Sequence, residues 1–157
     1  MAVETKQTLS AETVSQLQEL IQINIDSRDG FRQASEALDD LTLRSAFEQL
    51  ADDRDVQADD LARFVTWNGE IPRREGSVSA SVHRTWMSIR EMLSSDDRYA
   101  MLAEAERGED AIKAAYETAL KSTAGSAMND VLLRQYAAVK ASHDRIRDLR
   151  DACQDCA

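Results

Sequence analysis

The sequence predicts an all-α protein: a four-helix bundle with one long crossover connection that carries a shorter fifth helix. Its 157 residues include only one proline and five glycines, which are too few turn residues for a fold built from many short strands. Apolar residues recur three and four positions apart over long stretches, as they do on the buried face of a helix. The length suits one core, so we expect a single domain over residues 1–157.

The first two long helices are predicted at about 10–38 and 41–68. Ser10 and Asp40 suit the N-cap positions, because their side-chain oxygens accept a hydrogen bond from a free backbone N–H. The link at residues 39–40 is short, so the two helices should pack antiparallel. Their apolar positions include Leu17, Leu20, Ile21, Phe31, Ala34 and Leu38, and then Leu43, Phe47, Leu50, Ala51, Ala58, Leu61 and Val65.

The long connection follows the second helix. Gly69, Pro72 and Gly76 mark a loop, and a shorter amphipathic helix is predicted at about 77–93. This stretch is long enough to run the length of a bundle of about 40 Å. It is therefore predicted to be a crossover that leaves the second and third long helices parallel.

The last two long helices are predicted at about 96–122 and 126–152. Ser95 and Asp96 provide a cap signal for the third, and Gly125 with Ser126 separates it from the fourth. Because this link is short, the third and fourth helices should also be antiparallel. Bundles with a single long crossover are ferritin-like, so the predicted topology is that of a ferritin-like four-helix bundle.

Charge and hydropathy exclude several classes of function. The chain has 29 acidic and 19 basic residues and a net charge of −10, whereas nucleic acid and anionic membranes require a cationic surface. No apolar run approaches the roughly 20 residues that span a bilayer, and no signal peptide opens the chain. We expect a cytoplasmic protein that binds neither nucleic acid nor membrane.

Near the midpoint of each long helix, polar side chains fall on or beside the apolar face. Placed at about 100° per residue, these positions meet at one level of an antiparallel bundle. The sequence therefore predicts a buried polar layer inside the bundle. Its candidate members are Asn24, Arg28, Arg54, Glu106, Glu109 and His143.

This layer has three interpretations: a metal centre, an ion-pair network and a site for a small polar ligand. Ferritin-like carboxylate proteins bind two metals here, with one Glu from each of two helices and Glu-x-x-His from each of the other two. Arg54 breaks that pattern, because a guanidinium is permanently protonated and cannot bind a cation. The sequence favours no cofactor and a pair between Arg54 and Glu109 or Glu106. Iron, manganese or zinc held by Glu106, Glu109 and His143 is the alternative.

Several separated segments resemble one known family. They are residues 23–31, 77–86, 106–110 and 143–146, and the resemblance extends over about residues 10–152. The chain is similar to a bacterial family of uncharacterised ferritin-like four-helix-bundle proteins, a domain of unknown function. The resemblance implies a ferritin-like bundle and no established activity.

Two functions from different classes follow. The leading hypothesis is a non-enzymatic structural or interaction protein in which the polar layer replaces a di-metal site. The alternative is a ferritin-like metalloprotein that performs iron or oxygen chemistry with an altered ligand set. No glycine-rich phosphate loop or nucleophile elbow is present, so we expect no catalytic residues.

Two glycines and two side chains of the crossover bear on assembly. Gly30 and Gly108 lie inside helices, where each costs about 1 kcal/mol relative to alanine, so another helix should approach them closely. That helix is either the crossover segment or a second subunit, which leaves a homodimer open. His83 and Trp86 share one face and should pack the crossover helix on the bundle, or alternatively bind a protein partner.

The only cysteines, Cys153 and Cys156, form a CxxC sequence near the end of the chain. Redox CxxC motifs need a strand-to-helix context, and zinc sites need a second pair of ligands. Neither is present, so we expect two thiols on the last turn, with a terminal disulfide as the alternative.

Overall fold

The computed structural model describes residues 3–75, 84, 86–89, 91 and 98–153 of the chain. Four long helices are described: α1 (Ala11–Ala37), α2 (Leu41–Trp67), α3 (Arg98–Ser122) and α4 (Asn129–Ala152). Within the described ranges there is no β-strand, only an isolated bridge between Thr5 and Thr8. The all-α prediction is confirmed. No helix in these ranges is long and apolar enough to cross a membrane.

The predicted crossover helix falls mostly outside the described residues. Of the range 77–93, residues 84, 86–89 and 91 are described, and all of them are helical.

Side-chain caps explain where α1 and α2 begin. Thr13 N donates to Ser10 Oγ at 3.1 Å, and Leu43 N donates to Asp40 Oδ1 at 3.0 Å. The predicted start of the last helix, at 126, is three residues early. Ser126 belongs to a turn, because its Oγ accepts from Met128 N at 3.1 Å and its backbone carbonyl accepts from Asn129 N.

Contacts between side chains fix the directions of the helices. Asn68, at the end of α2, accepts at Oδ1 from Leu9 N just before α1, so α1 and α2 are antiparallel. Arg98 and Asp40 form an ion pair at 3.1 Å where α3 and α2 begin, so these two helices run parallel.

Helices α3 and α4 form a second antiparallel hairpin, as α1 and α2 form the first. Tyr136 on α4 donates to Glu117 on α3 at 2.9 Å, and Arg150 near the end of α4 pairs with Glu106 farther back along α3. Hence α3 and α4 are antiparallel. Contacts between α1 and α3 join the two hairpins.

The core consists of two apolar clusters, one in each half of the bundle. The first lies where α1 and α4 begin, and the second lies around Phe31, Phe47 and Leu102. Each long helix contributes to both clusters, and each changes from one to the other near its midpoint. The polar positions of the candidate site lie at that boundary.

Trp86 of the crossover segment packs against α1. Its ring meets Phe31 edge to face, with 4.9 Å between centroids. A Cβ built on Gly30 would lie 2.2 Å from Trp86 Cδ2, so only glycine fits beneath the indole. The crossover segment therefore explains the glycine at position 30. A homodimer stays a prediction. Gly108 is half-buried, and His83 lies outside the described residues.

Glu4 fastens the N-terminal segment to the bundle. Its carboxylate accepts from Ser10 N, Thr13 Oγ1 and Ala127 N, each at 3.1 Å, and from the Ser126 hydroxyl. Partial burial would raise the pKa of Glu4, but these hydrogen bonds stabilise the ionised form and hold the pKa below its ordinary value. The segment before α1 is therefore tied to the α3–α4 connection.

Candidate functional site

Arg54 contacts all four long helices from the interior of the bundle. Its side chain is 1% exposed, and its Nη2 donates to Glu109 Oε2 at 2.5 Å and to Ser142 Oγ at 2.6 Å. On the other two helices, Nη1 donates to Gln57 Oε1 at 3.1 Å and Nε donates to Ser27 Oγ at 3.3 Å. One guanidinium thus connects α1, α2, α3 and α4.

The sequence makes room for so large a side chain in the core. Arg54 takes its place on the buried face of α2 between Ala51 and Ala58, and its partners on α1 and α4 are the small residues Ser27 and Ser142. Small side chains on the facing helices leave the volume that the guanidinium fills, and their hydroxyls accept its hydrogens.

Glu109 neutralises this cation. Its side chain is fully buried, and Oε2 accepts from Arg54 and from the Ser142 hydroxyl, the latter at 2.7 Å. Its other oxygen, Oε1, has no hydrogen-bond partner among the residues that the structure describes. A buried guanidinium without a carboxylate would be very costly, whereas a paired and hydrogen-bonded one roughly offsets its desolvation. Arg54 can therefore occupy the core only because it is paired with Glu109.

A second chain of hydrogen bonds extends from this layer into the first apolar cluster. Asn24 Nδ2 donates to Tyr116 OH at 2.9 Å, and Tyr116 OH donates to Gln135 Oε1 at 2.7 Å. Gln135 Nε2 then reaches the backbone carbonyl of Gln57 at 3.4 Å. These contacts join α1, α3, α4 and α2 a second time.

Burial dominates the electrostatics of Tyr116. It raises the pKa of the phenol to about 12, although the hydrogen bond from Asn24 and the charge of Arg54 act in the opposite direction. The phenol is therefore neutral at physiological pH and serves as a hydrogen-bond donor.

Three of the six candidate residues, Asn24, Arg54 and Glu109, are buried. Arg54 and Glu109 bind each other, whereas Asn24 belongs to the chain of hydrogen bonds through Tyr116. Arg28 does not join them. It is partly exposed and pairs with Asp29 and Asp55, each at 2.9 Å. These partners lie on the outer side of α1 and α2, where the guanidinium keeps contact with water.

Glu106 and His143 lie in the groove between α3 and α4, also outside the layer. His143 Nε2 lies 2.8 Å from Asp110 and 3.5 Å from Glu106, and Glu106 also pairs with Arg150. Both side chains are partly exposed. A helical wheel places these residues beside the apolar stripe, but the groove offers them water and charged partners.

The donors in the layer do not fit a di-metal centre. Among the described residues, the side chains bonded to the Arg54 guanidinium offer one carboxylate, from Glu109, together with two hydroxyls and an amide. The set Glu106, Glu109 and His143 does not converge, because Glu109 faces Arg54 while the other two meet in the groove. Over the described ranges, no three His, Cys, Asp or Glu side chains are grouped to hold a metal ion.

Sequence reasoning did not assign five residues of the network to the layer. They are Ser27, Gln57, Tyr116, Gln135 and Ser142. The sequence pattern places Tyr116 only on the apolar face of its helix. A signal for two of the others exists, because Ser27 lies three residues after Asn24 and Gln57 three after Arg54, so each pair shares a helix face.

At the end of α4, Cys153 is disulfide-bonded. The expectation of a free thiol at this position is wrong. Cys156 lies outside the described residues.

Comparison with known proteins gives a family and no activity. No curated protein matches the chain. A family model described as a domain of unknown function, DUF2383, matches residues 12–122. This range includes α2, α3 and all but the first residue of α1, together with Arg54 and Glu109. The match ends before α4, which supplies Gln135 and Ser142. The chain therefore belongs to the DUF2383 family.

Proposed function

We propose that this protein is a non-enzymatic, ferritin-like helical bundle with a structural or interaction role, in which an ion-pair network fills the position of a di-metal site. The observation that carries the proposal is the buried Arg54, bonded to residues of all four helices and paired with Glu109 at 2.5 Å.

The charge of Arg54 is the physical reason. A cation at the centre of the layer would face a guanidinium that cannot lose its proton, and it would compete with Arg54 for Glu109. Ser27 and Ser142 offer neutral hydroxyls, which are poor substitutes for carboxylate ligands of iron or manganese. The network thus supports packing and register more readily than redox chemistry.

The ferritin-like part of the proposal rests on topology. Two antiparallel hairpins, with α2 and α3 parallel, require one long crossover between them, and this is the arrangement of ferritin-like bundles. The family resemblance of the sequence points to the same fold.

An interaction role is supported at the end of the bundle where α2 terminates. Trp67 is 50% exposed there, held edge to face against Phe64 at a centroid distance of 5.2 Å, and Ile71 follows it on the surface. Exposed tryptophan is a frequent anchor of protein interfaces. A cytoplasmic location accompanies this proposal, with the partner being another protein.

Elemental analysis tests the proposal. The protein is purified without chelators, and iron, manganese and zinc are measured per chain, in parallel with a Glu109→Gln variant. We expect far less than one metal ion per chain in both. Stoichiometric iron or manganese would contradict the proposal and favour the metalloprotein alternative, and its loss in Glu109→Gln would locate the metal in the layer.

A further inference from the structure

A groove lies on the outer side of the α1–α2 hairpin, away from the arginine layer. Its cavity volume is about 440 Å³, within the range of small-molecule sites. Its apolar lining includes Ile21 and Ile25 of α1 and Ala58 and Ala62 of α2, and Pro72 of the segment after α2 closes one side.

The segment after α2 is fixed across α1 by two glutamines. Gln18 makes two bonds, since its Nε2 donates to the Ile71 carbonyl at 2.9 Å and its Oε1 accepts from Arg73 N at 2.8 Å. Gln22 Oε1 accepts from Arg73 Nη1 at 2.6 Å. These bonds hold Arg73 and the adjacent Arg74 at the edge of the groove.

Four arginines and one aspartate line this groove in a chain of net charge −10. Two of the arginines are already neutralised: Arg28 pairs with Asp29 and Asp55, and Arg63 pairs with Asp60 at 2.5 Å. Arg73 and Arg74 differ from them. No carboxylate of the described residues lies within ion-pair distance of either. Within the same residues, the side chain that accepts a hydrogen bond from the Arg73 guanidinium is the neutral amide of Gln22.

We propose that this groove binds a small amphipathic anion, with its headgroup on Arg73 and Arg74 and its aliphatic chain on the apolar lining. A guanidinium binds carboxylate and phosphate oxygens in the same forked geometry, so the shared chemistry is a single anionic headgroup on an apolar chain. This inference goes beyond the proposed function and does not depend on the arginine layer.

The surrounding acids explain why the ligand is small. Asp59 lies in the groove, and the acidic partners of Arg28 and Arg63 lie close by. These carboxylates repel an extended anionic surface such as nucleic acid or a membrane. A single headgroup needs only the two guanidinium groups that have no carboxylate partner among the described residues, so it meets less of that repulsion than an extended surface does.

Calorimetric titration of the full chain with decanoate and with decyl phosphate, each below its micelle concentration, tests the proposal. We expect saturable binding of one molecule per chain for at least one of them, and the comparison identifies the preferred headgroup. Decanol lacks the charge and acetate lacks the chain, so neither should bind saturably at the same concentrations.

Three variants and one control locate the site. Arg73→Gln and Arg74→Gln should each weaken binding roughly tenfold, because each removes a charge-assisted hydrogen bond. Ala62→Leu should weaken it without a change of charge, because the larger side chain fills the groove. The control Arg134→Gln makes the same charge change at an exposed position of α4 and should leave the affinity unchanged.

The proposal is overturned if neither amphiphile binds saturably. It is also overturned if decanol binds as tightly as decanoate, since the arginines would then contribute nothing. An equal loss of affinity in Arg134→Gln and Arg74→Gln would show a general charge effect instead of this groove.

Discussion

Removal of Arg54 is the most informative perturbation of the core. In Arg54→Ala, Glu109 becomes a buried carboxylate with no cation, and Ser142 is left as its one hydrogen-bond donor. Removing one partner of a buried ion pair costs about 3–5 kcal/mol. Because the variant also leaves a cavity and takes a donor from Ser27 and Gln57, we expect a loss in the upper half of that range.

Two further variants separate the ion pair from general damage. Arg54→Met combined with Glu109→Leu removes both charges. The free energy of unfolding of this double variant should lie within about 1 kcal/mol of that of the parent, or exceed it, because hydrophobic replacements of buried pairs are often neutral or stabilising. Arg107→Ala is the matched control. Arg107 is 71% exposed and pairs with Glu104, so its removal should cost less than about 1 kcal/mol.

Urea unfolding followed by circular dichroism measures these differences. With a slope of about 2 kcal/mol per M, the midpoint of Arg54→Ala should fall by about 2–2.5 M. The free energy of unfolding of native proteins is about 5–15 kcal/mol. A loss of this size therefore leaves a variant with a shifted unfolding transition, or one that is already unfolded without urea if the parent lies at the lower limit. If Arg54→Ala unfolds at the same urea concentration as Arg107→Ala, the reasoning about the buried pair is refuted.

Four other predictions concern packing and pH. Gly30→Ala should cost about 1–3 kcal/mol in urea unfolding, because its Cβ overlaps the Trp86 ring, and a gain from helix propensity would contradict the contact. The pKa of Glu4 is lowered, so its ionised carboxylate stabilises the fold above pH 4.5. Glu4→Gln should therefore lower the free energy of unfolding near neutral pH, and this difference from the parent should disappear as the pH falls below 4.5. A difference that is constant down to acid pH would contradict the role of Glu4 in tying the N-terminal segment to the bundle. Tyr116→Phe should cost about 1–2 kcal/mol, because Gln135 Oε1 loses its donor. The raised pKa of Tyr116 also predicts that stability falls above pH 10, and that the native phenol titrates by ultraviolet absorbance at about 12.

The starts of α1 and α2 could be predicted because local hydrogen bonds at the N-cap residues determine them. Ser10 and Asp40 each accept a hydrogen bond from the backbone three residues ahead, and this requires no knowledge of the rest of the fold. The start of α4 has no such side-chain cap. Met128 occupies its N-cap position, so Ser126 looked like the natural start.

The site shows a similar division between local and tertiary information. Arg54 and Glu109 lie at the centre of their apolar stripes, and a helical wheel places them inside without ambiguity. His143 lies at the edge of the apolar face of α4. At such a position a small rotation of the helix determines whether the imidazole lies in the core or in the groove between α3 and α4. Ser142 is not a conspicuous residue in a helix, and its part in the layer depends on the distance between α2 and α4.

The hydrogen-bond partners of Arg54 lie at very different distances from it along the chain. Gln57 is three residues away and Ser27 is 27, but Glu109 is 55 and Ser142 is 88 residues away. The two hairpins can form from nearby contacts, whereas closing the network requires the whole crossover to be in place. Interactions that form after the transition state act on the rate of unfolding and leave the rate of folding nearly unchanged. We therefore expect Arg54 to lower the rate at which the bundle unfolds and to leave the rate at which it folds nearly unchanged.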